Sequence, residues 1–180
     1  MKVLAFGASS SKKSINKILA TYTAGLIEGA TVEVVDLNDY ELPLFSVDKE
    51  EELGQPALAK AFLNKIGSSD IVVISFAEHN GSYATAFKNL FDWCSRIEKK
   101  VYQGKAMILL ATSPGPGGAQ SVLSAAEHSC PFFDGNVKAS LSVPSFYGNF
   151  DVESGTMIND EIKGQLIDAA KRAVQKDTDK

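Results

Sequence analysis

DIVVISF, residues 70–76, decides the fold. Its apolar residues follow one another instead of alternating, so both faces of the segment must be covered. A strand of that kind sits in the middle of a parallel sheet with helices above and below it. The flanking sequence supplies those helices. Residues 56–66 open near Pro56 and put Leu58, Phe62, Leu63 and Ile66 on one face. Residues 84–97 repeat the pattern with Phe87, Leu90, Phe91, Cys94 and Ile97.

Further out the alternation continues. KVLAF (2–6), TVEVVDL (31–37), KAMILLAT (105–112) and a segment within 137–143 read as four more strands. Helices are expected over 14–28, where Gly29 stops the run, over 119–129, and from about Asp160 to about Gln175. Five strand–helix alternations with continuously apolar strands predict an α/β fold. The expected architecture is a flavodoxin-like, doubly wound, five-stranded parallel sheet of strand order 2-1-3-4-5, formed by residues 1–180 as one domain. The acidic run Asp48 to Glu52 is expected to be a solvated loop.

Composition narrows the partners. A chain of 180 residues, 44% hydrophobic and 22% charged, is long enough for a full core. Its net charge of −4 argues against nucleic acid or an anionic membrane. Cys94 and Cys130 form no C-x-x-C and are expected to be reduced thiols. The apolar run Val3 to Phe6 is too short for a signal peptide, and no apolar segment reaches membrane-spanning length. A cytoplasmic protein is expected.

In a doubly wound sheet, ligands bind beyond the carboxyl ends of the strands at the switch point. The order 2-1-3-4-5 brings three loops to that place: SSSKKSIN (9–16), AEHNGSY (77–83) and SPGPGG (113–118). The first offers Ser9, Ser11, Ser14 and Asn16 at a helix start, where free N–H groups and the helix dipole favour phosphate. It is neither a Walker motif nor G-x-G-x-x-G, and a plain N-cap at Ser11 or Ser14 is the alternative. In the second, Asn80-Gly81 tolerates positive φ, so the backbone can double back. His79 is either an exposed turn residue or a general base, and Glu78 is equally ambiguous. The glycines and prolines of the third would let a flat ligand approach a stiff backbone. Phosphate donors at one end and backbone-rich loops at the other suit FMN.

These residues resemble the NADPH-dependent FMN reductase family, which includes bacterial quinone and chromate reductases. Ser9, Ser14 and Asn16 fit its S-x-x-x-x-S-x-N phosphate loop. Glu78, Asn80, Ser82, Lys88, Asn89, Asp92 and Trp93 follow its P-E-Y-N-x-S-x-P…K-N…D-W pattern. LPLF (42–45) with Asp48, and ATSPGPGG, are similar to two further family segments. The resemblance implies that Ser9, Ser14 and Asn16 hold the FMN phosphate, and Ser11 and Ile15 of the same loop are expected to bind the cofactor with them. Glu78, Asn80 and Gly81 would line the isoalloxazine, with Ser113, Gly115 and Gly117 at its other edge; His79 and Ser82 of the second loop are expected to bind the cofactor too. It also implies a homodimer or homotetramer. Where many relatives carry arginine, this chain has Ser11, with Lys12 and Lys13 beside it either compensating or solvated. His79 replaces a tyrosine, and Ala77 and Ala84 replace prolines.

The activity so implied passes hydride from NADPH or NADH through flavin N5 to a quinone-like acceptor. The flavin carries the chemistry, so no catalytic side chain and no metal is expected. A flavodoxin-type electron carrier and a non-flavin α/β binding protein are the alternatives. Phe146, Tyr147 and Phe150 could wall the pocket, form a subunit contact or fill a small core. Cys94 is expected in the core, and Trp93 and Arg96 at an interface.

Overall fold

A computed structural model of the protein describes residues 1–175. The central sheet contains β1 (Lys2–Ala8), β2 (Thr31–Val34), β3 (Ile71–Phe76), β6 (Ala106–Thr112) and β7 (Asn136–Val143). Their spatial order is β2-β1-β3-β6-β7, every pair parallel. Counted along the chain this is the expected 2-1-3-4-5 order. Residues of β3 are buried throughout, as the DIVVISF run requires.

Side-chain alternation along the strands divides the interior into two cores. Leu4, Phe6, Val72, Ile74, Met107 and Leu109 pack against α3 (Ala57–Gly67), α4 (Thr85–Ile97) and α5 (Gln120–Ser129). Val3, Ala5, Ile71, Val73, Ile108 and Leu110 pack against α1 (Ile15–Gly25) and α7 (Asp160–Val174). The second core uses small helix residues, Ala20, Ala24, Ala169 and Ala170, which let those helices lie close to the sheet. Two of the long helices start on a local side-chain cap. Ser14 caps α1 by accepting from Lys17 N, and Asn159 caps α7 by accepting from Glu161 N and Ile162 N.

Several expectations are corrected. The acidic run is not a loop: it forms α2 (Val47–Leu53), capped by Ser46, with Asp48 and Glu50 in a first turn that favours negative charge. Trp93 is not an interface residue. It is 1% exposed and donates from Nε1 to the Pro43 carbonyl at 2.8 Å. Asn89 reinforces that contact, donating to Leu42 O and Pro43 O and accepting from Phe45 N. The K-N…D-W and LPLF segments thus tie each other down. Arg96 remains on the surface, bonded to Glu50 of α2.

Phe146 and Phe150 are buried and stacked at 5.0 Å, forming a small aromatic core, while Tyr147 is 62% exposed. Phe146 and Tyr147 belong to a short helix, α6 (Phe146–Asn149), and Phe150 opens the small hairpin that follows, β8 (Phe150–Asp151) and β9 (Thr156–Met157). Cys94 and Cys130 are free and buried, and burial pushes both thiols up to about 12. Among the described residues no helix is long and apolar enough to cross a membrane.

Candidate functional site

The end of β1 and the start of α1 are locked together by Gly7. A Cβ there would strike the backbone of Lys17, whose Cα would lie only 2.8 Å away. The glycine therefore sets how closely α1 approaches the sheet, and so where its first turn points. Ser9 Oγ accepts from Ser11 N at 3.1 Å, and Ser14 N donates to Ser11 O at 3.2 Å, which folds the loop back on itself. With Lys17 N bonded to Ser14 Oγ, the N–H groups of Ile15 and Asn16 lack acceptors within the first turn. Ser9, Ser11 and Ser14 surround that turn.

Asn16 has a role the sequence did not reveal. Its side chain is 4% exposed and turned inward: Nδ2 donates to Thr112 O at 3.2 Å, and Oδ1 accepts from Thr112 N and the Ser75 hydroxyl. One amide thus joins α1 to the carboxyl ends of β3 and β6. The side chain is consumed by this linkage, which leaves the backbone N–H of Asn16 to face a ligand.

The second loop is a tight hairpin, β4 (Glu78–His79) paired with β5 (Ser82–Tyr83). Asn80 at φ 54 and Gly81 at φ 75 make the turn, as the Asn-Gly signal predicts. Glu78 then reaches the third loop. Its Oε2 accepts from Val122 N at 2.8 Å in the first turn of α5, where Ala119 is left-handed and supplies no side-chain cap. The carboxylate replaces the missing cap, and the hairpin and third loop become one body. Gly118, at φ 59, fits against Ser142 and Pro144 of the neighbouring segment, and its carbonyl accepts from Ser142 Oγ at 2.7 Å.

These loops enclose a cleft of about 250 Å³. It brings together Ser9, Ser11, Ser14, Ile15, Asn16, Glu78, His79 and Ser113 from the expected set. Asn80, Gly81, Ser82, Gly115 and Gly117 belong to the same loops but do not line it. Lys13, Ala77, Thr112, Pro114 and Tyr147 do line it, although none of them was in the expected set. The donors suit a doubly charged phosphate monoester: two free N–H groups at a helix N-terminus, three serines, and the Lys13 ammonium. Added Cβ atoms at Gly115 and Gly117 would meet nothing within 4 Å, leaving open space where a flat ring can lie. The residues present fit FMN. Among the described residues no cluster of His, Cys, Asp or Glu could hold a metal ion.

Such a sheet, with its loops gathered at the switch point, defines a flavodoxin-like α/β protein. Comparison with known families takes the assignment further: the chain belongs to the NADPH-dependent FMN reductase family, whose sequence model matches residues 1–147. It is 27% identical over 178 residues to an NAD(P)H-dependent FMN reductase of Pseudomonas aeruginosa, covering 97% of this chain and 94% of that protein. It is 30% identical over 176 residues to a quinone reductase of Escherichia coli, with 92% of each chain covered. Among solved structures, the flavoenzyme NAD(P)H:(acceptor) oxidoreductase FerB of Paracoccus denitrificans superposes with a TM-score of 0.74. That match has 21% identity and covers 96% of this chain and 94% of the other. An FMN-dependent NADH-azoreductase of Bacillus anthracis, solved with FMN, gives 0.65 at 14% identity, covering 97% and 100%. The structural likenesses establish the fold. FMN as cofactor, with NAD(P)H as co-substrate, accords with the family.

Proposed function

We propose that the protein is an NAD(P)H-dependent FMN reductase acting on quinone-like acceptors, with FMN seated in the cleft between the three loops. The observation that carries this is the first turn of α1, which lines the cleft with two N–H groups left without acceptors in the turn, among Ser9, Ser11 and Ser14. The two-electron chemistry, hydride from NAD(P)H to flavin N5 and onward to the acceptor, is supplied by FMN when bound. The chain's part is to bind and orient. Ile15 N and Asn16 N, the serine hydroxyls and Lys13 hold the phosphate. The Glu78-braced hairpin and the Ser113–Gly117 turn hold the ring where it extends out of the cleft, with Asn80, Gly81, Ser82 and the two glycines presenting backbone to it beyond the cleft's own lining. No side-chain acid or base is needed for that transfer, since the flavin carries the chemistry.

The family resemblance implies a homodimer or homotetramer in the cytoplasm; Leu44, 73% exposed, and Val47, 59% exposed, are apolar residues open to such a subunit contact. The test is optical. Purified protein incubated with FMN and desalted should be yellow, bleach under anaerobic NADPH, and recover its colour when a benzoquinone is added. Colourless protein after that incubation would exclude the proposed function.

A further inference from the structure

Three walls of the cleft follow β1, β3 and β6, but Tyr147 reaches it from a fourth segment, after β7. That segment is tied to the third loop along its length. Thr112 Oγ1 donates to Val143 O at 2.6 Å, and Ser142 Oγ to Gly118 O. Ser145 N donates to Gly115 O at 2.9 Å, and Phe146 N to Ser113 O at 3.1 Å. Ser145 then takes a left-handed conformation, φ 47, that few non-glycine residues adopt, and turns the chain into α6. Asn149 holds the turn, donating from Nδ2 to Pro144 O at 2.8 Å and accepting at Oδ1 from Asn159, the cap of α7. Phe146 is buried in the core that α1 and α7 share, and the Tyr147 ring stands edge-on to it at 5.5 Å. A fixed mount thus carries a residue that is itself 62% exposed.

The polar end of that side chain is unspent. Tyr83 shares its hydroxyl with Ser129 at 3.3 Å, whereas the Tyr147 hydroxyl has no hydrogen-bond partner among the described residues. A phenol that is merely hydrated needs no such mount. The cleft it lines is otherwise one of donors for an anion, with Ser9, Ser11, Ser14 and Lys13 in its walls. A phenol O–H is a further donor, and the ring behind it offers an apolar face. We propose that Tyr147 is an additional cofactor-binding residue: its hydroxyl donates to the phosphate of FMN and its ring covers the ribityl chain. It thereby holds FMN as a resident group and favours the phosphorylated flavin over riboflavin. This rests on the flavin reading above and adds a fourth chain segment to the site.

The experiment titrates apoprotein with FMN and with riboflavin by calorimetry, in wild type, Tyr147→Phe and Tyr147→Ala. Tyr147→Phe keeps the ring and removes the donor, so it should weaken FMN about tenfold and leave riboflavin unchanged. Tyr147→Ala removes both, and should weaken riboflavin about threefold and FMN by more than Tyr147→Phe does. The urea midpoint of the apoprotein should be the same in wild type and Tyr147→Phe, since the hydroxyl has no protein partner to lose. An undiminished preference for FMN in Tyr147→Phe, an equal loss of both flavins in that variant, or a shifted urea midpoint would overturn the proposal. Wild type that does not prefer FMN to riboflavin fails the flavin reading, and this inference with it. Wild type that prefers FMN, with Tyr147→Phe keeping the whole preference, fails the Tyr147 assignment alone.

Discussion

Asn16 shows how much one side chain can decide. Its amide satisfies both backbone groups of Thr112 and the Ser75 hydroxyl, 4% exposed, and so joins three elements. Asn16→Ala should lower stability by about 2–4 kcal/mol, because three buried polar groups lose their partner. Urea unfolding measures it, and a midpoint equal to wild type would refute the linkage. The sequence showed an amide after a cap and led to a phosphate ligand, since nothing local reveals a partner 96 residues away. Ser14, by contrast, was readable as both cap and phosphate neighbour, because capping is decided within one turn. Asp36 predicts a pH response. Its carboxyl is held below the usual 3.8, first by the Lys17 hydrogen bond and then by Asn38 N. A lowered folded value means stabilisation that is present above the unfolded pKa and lost as pH falls through the folded one. Between about pH 4 and 2 the wild type should therefore lose more stability than Asp36→Asn, as followed by denaturation at stepped pH. The buried thiols of Cys94 and Cys130, pushed up to about 12, should resist a disulfide reagent at pH 8 until the protein is unfolded.

At the scale of elements, the site depends on how α1 and α5 are seated. Gly7→Ala would drive a methyl group into the Lys17 backbone, so α1 must move away from β1. A loss of about 1–3 kcal/mol is expected, with weaker FMN retention, because the shifted element carries the phosphate donors. Unaltered melting and flavin content would contradict the packing described. Glu78→Gln keeps an acceptor but removes charge from the α5 N-terminus, and should lower stability by about 0.5–1 kcal/mol. Strands and long helices were readable because period and apolar run length are local properties. Helix α2 was not, since five consecutive charged residues look like solvated loop unless Ser46 is recognised as a cap. Trp93 was misplaced for a related reason. Its helix turns it toward residues 42–45, a segment whose path no periodicity describes.

The whole molecule places its chemistry where the two cores end. The three central strands, β1, β3 and β6, are buried on both faces up to their carboxyl ends, and there the polar residues Ser75, Thr112, Ser9 and Asn16 take over. Sheet order alone assembles the three loops, which is why the cleft's location was readable while its exact lining was not. The central claim is that the first turn of α1 grips the phosphate of FMN. It is tested most directly by titrating apoprotein with FMN and with riboflavin, in wild type and in Ser14→Asp, whose aspartate can still cap the helix. Wild type should bind FMN about a hundredfold more tightly than riboflavin, on the order of 2.7 kcal/mol from charge-assisted bonds to the phosphate. Ser14→Asp should abolish that preference through like-charge repulsion. Equal affinity of wild type for the two flavins, or an unchanged preference in Ser14→Asp, would contradict the account.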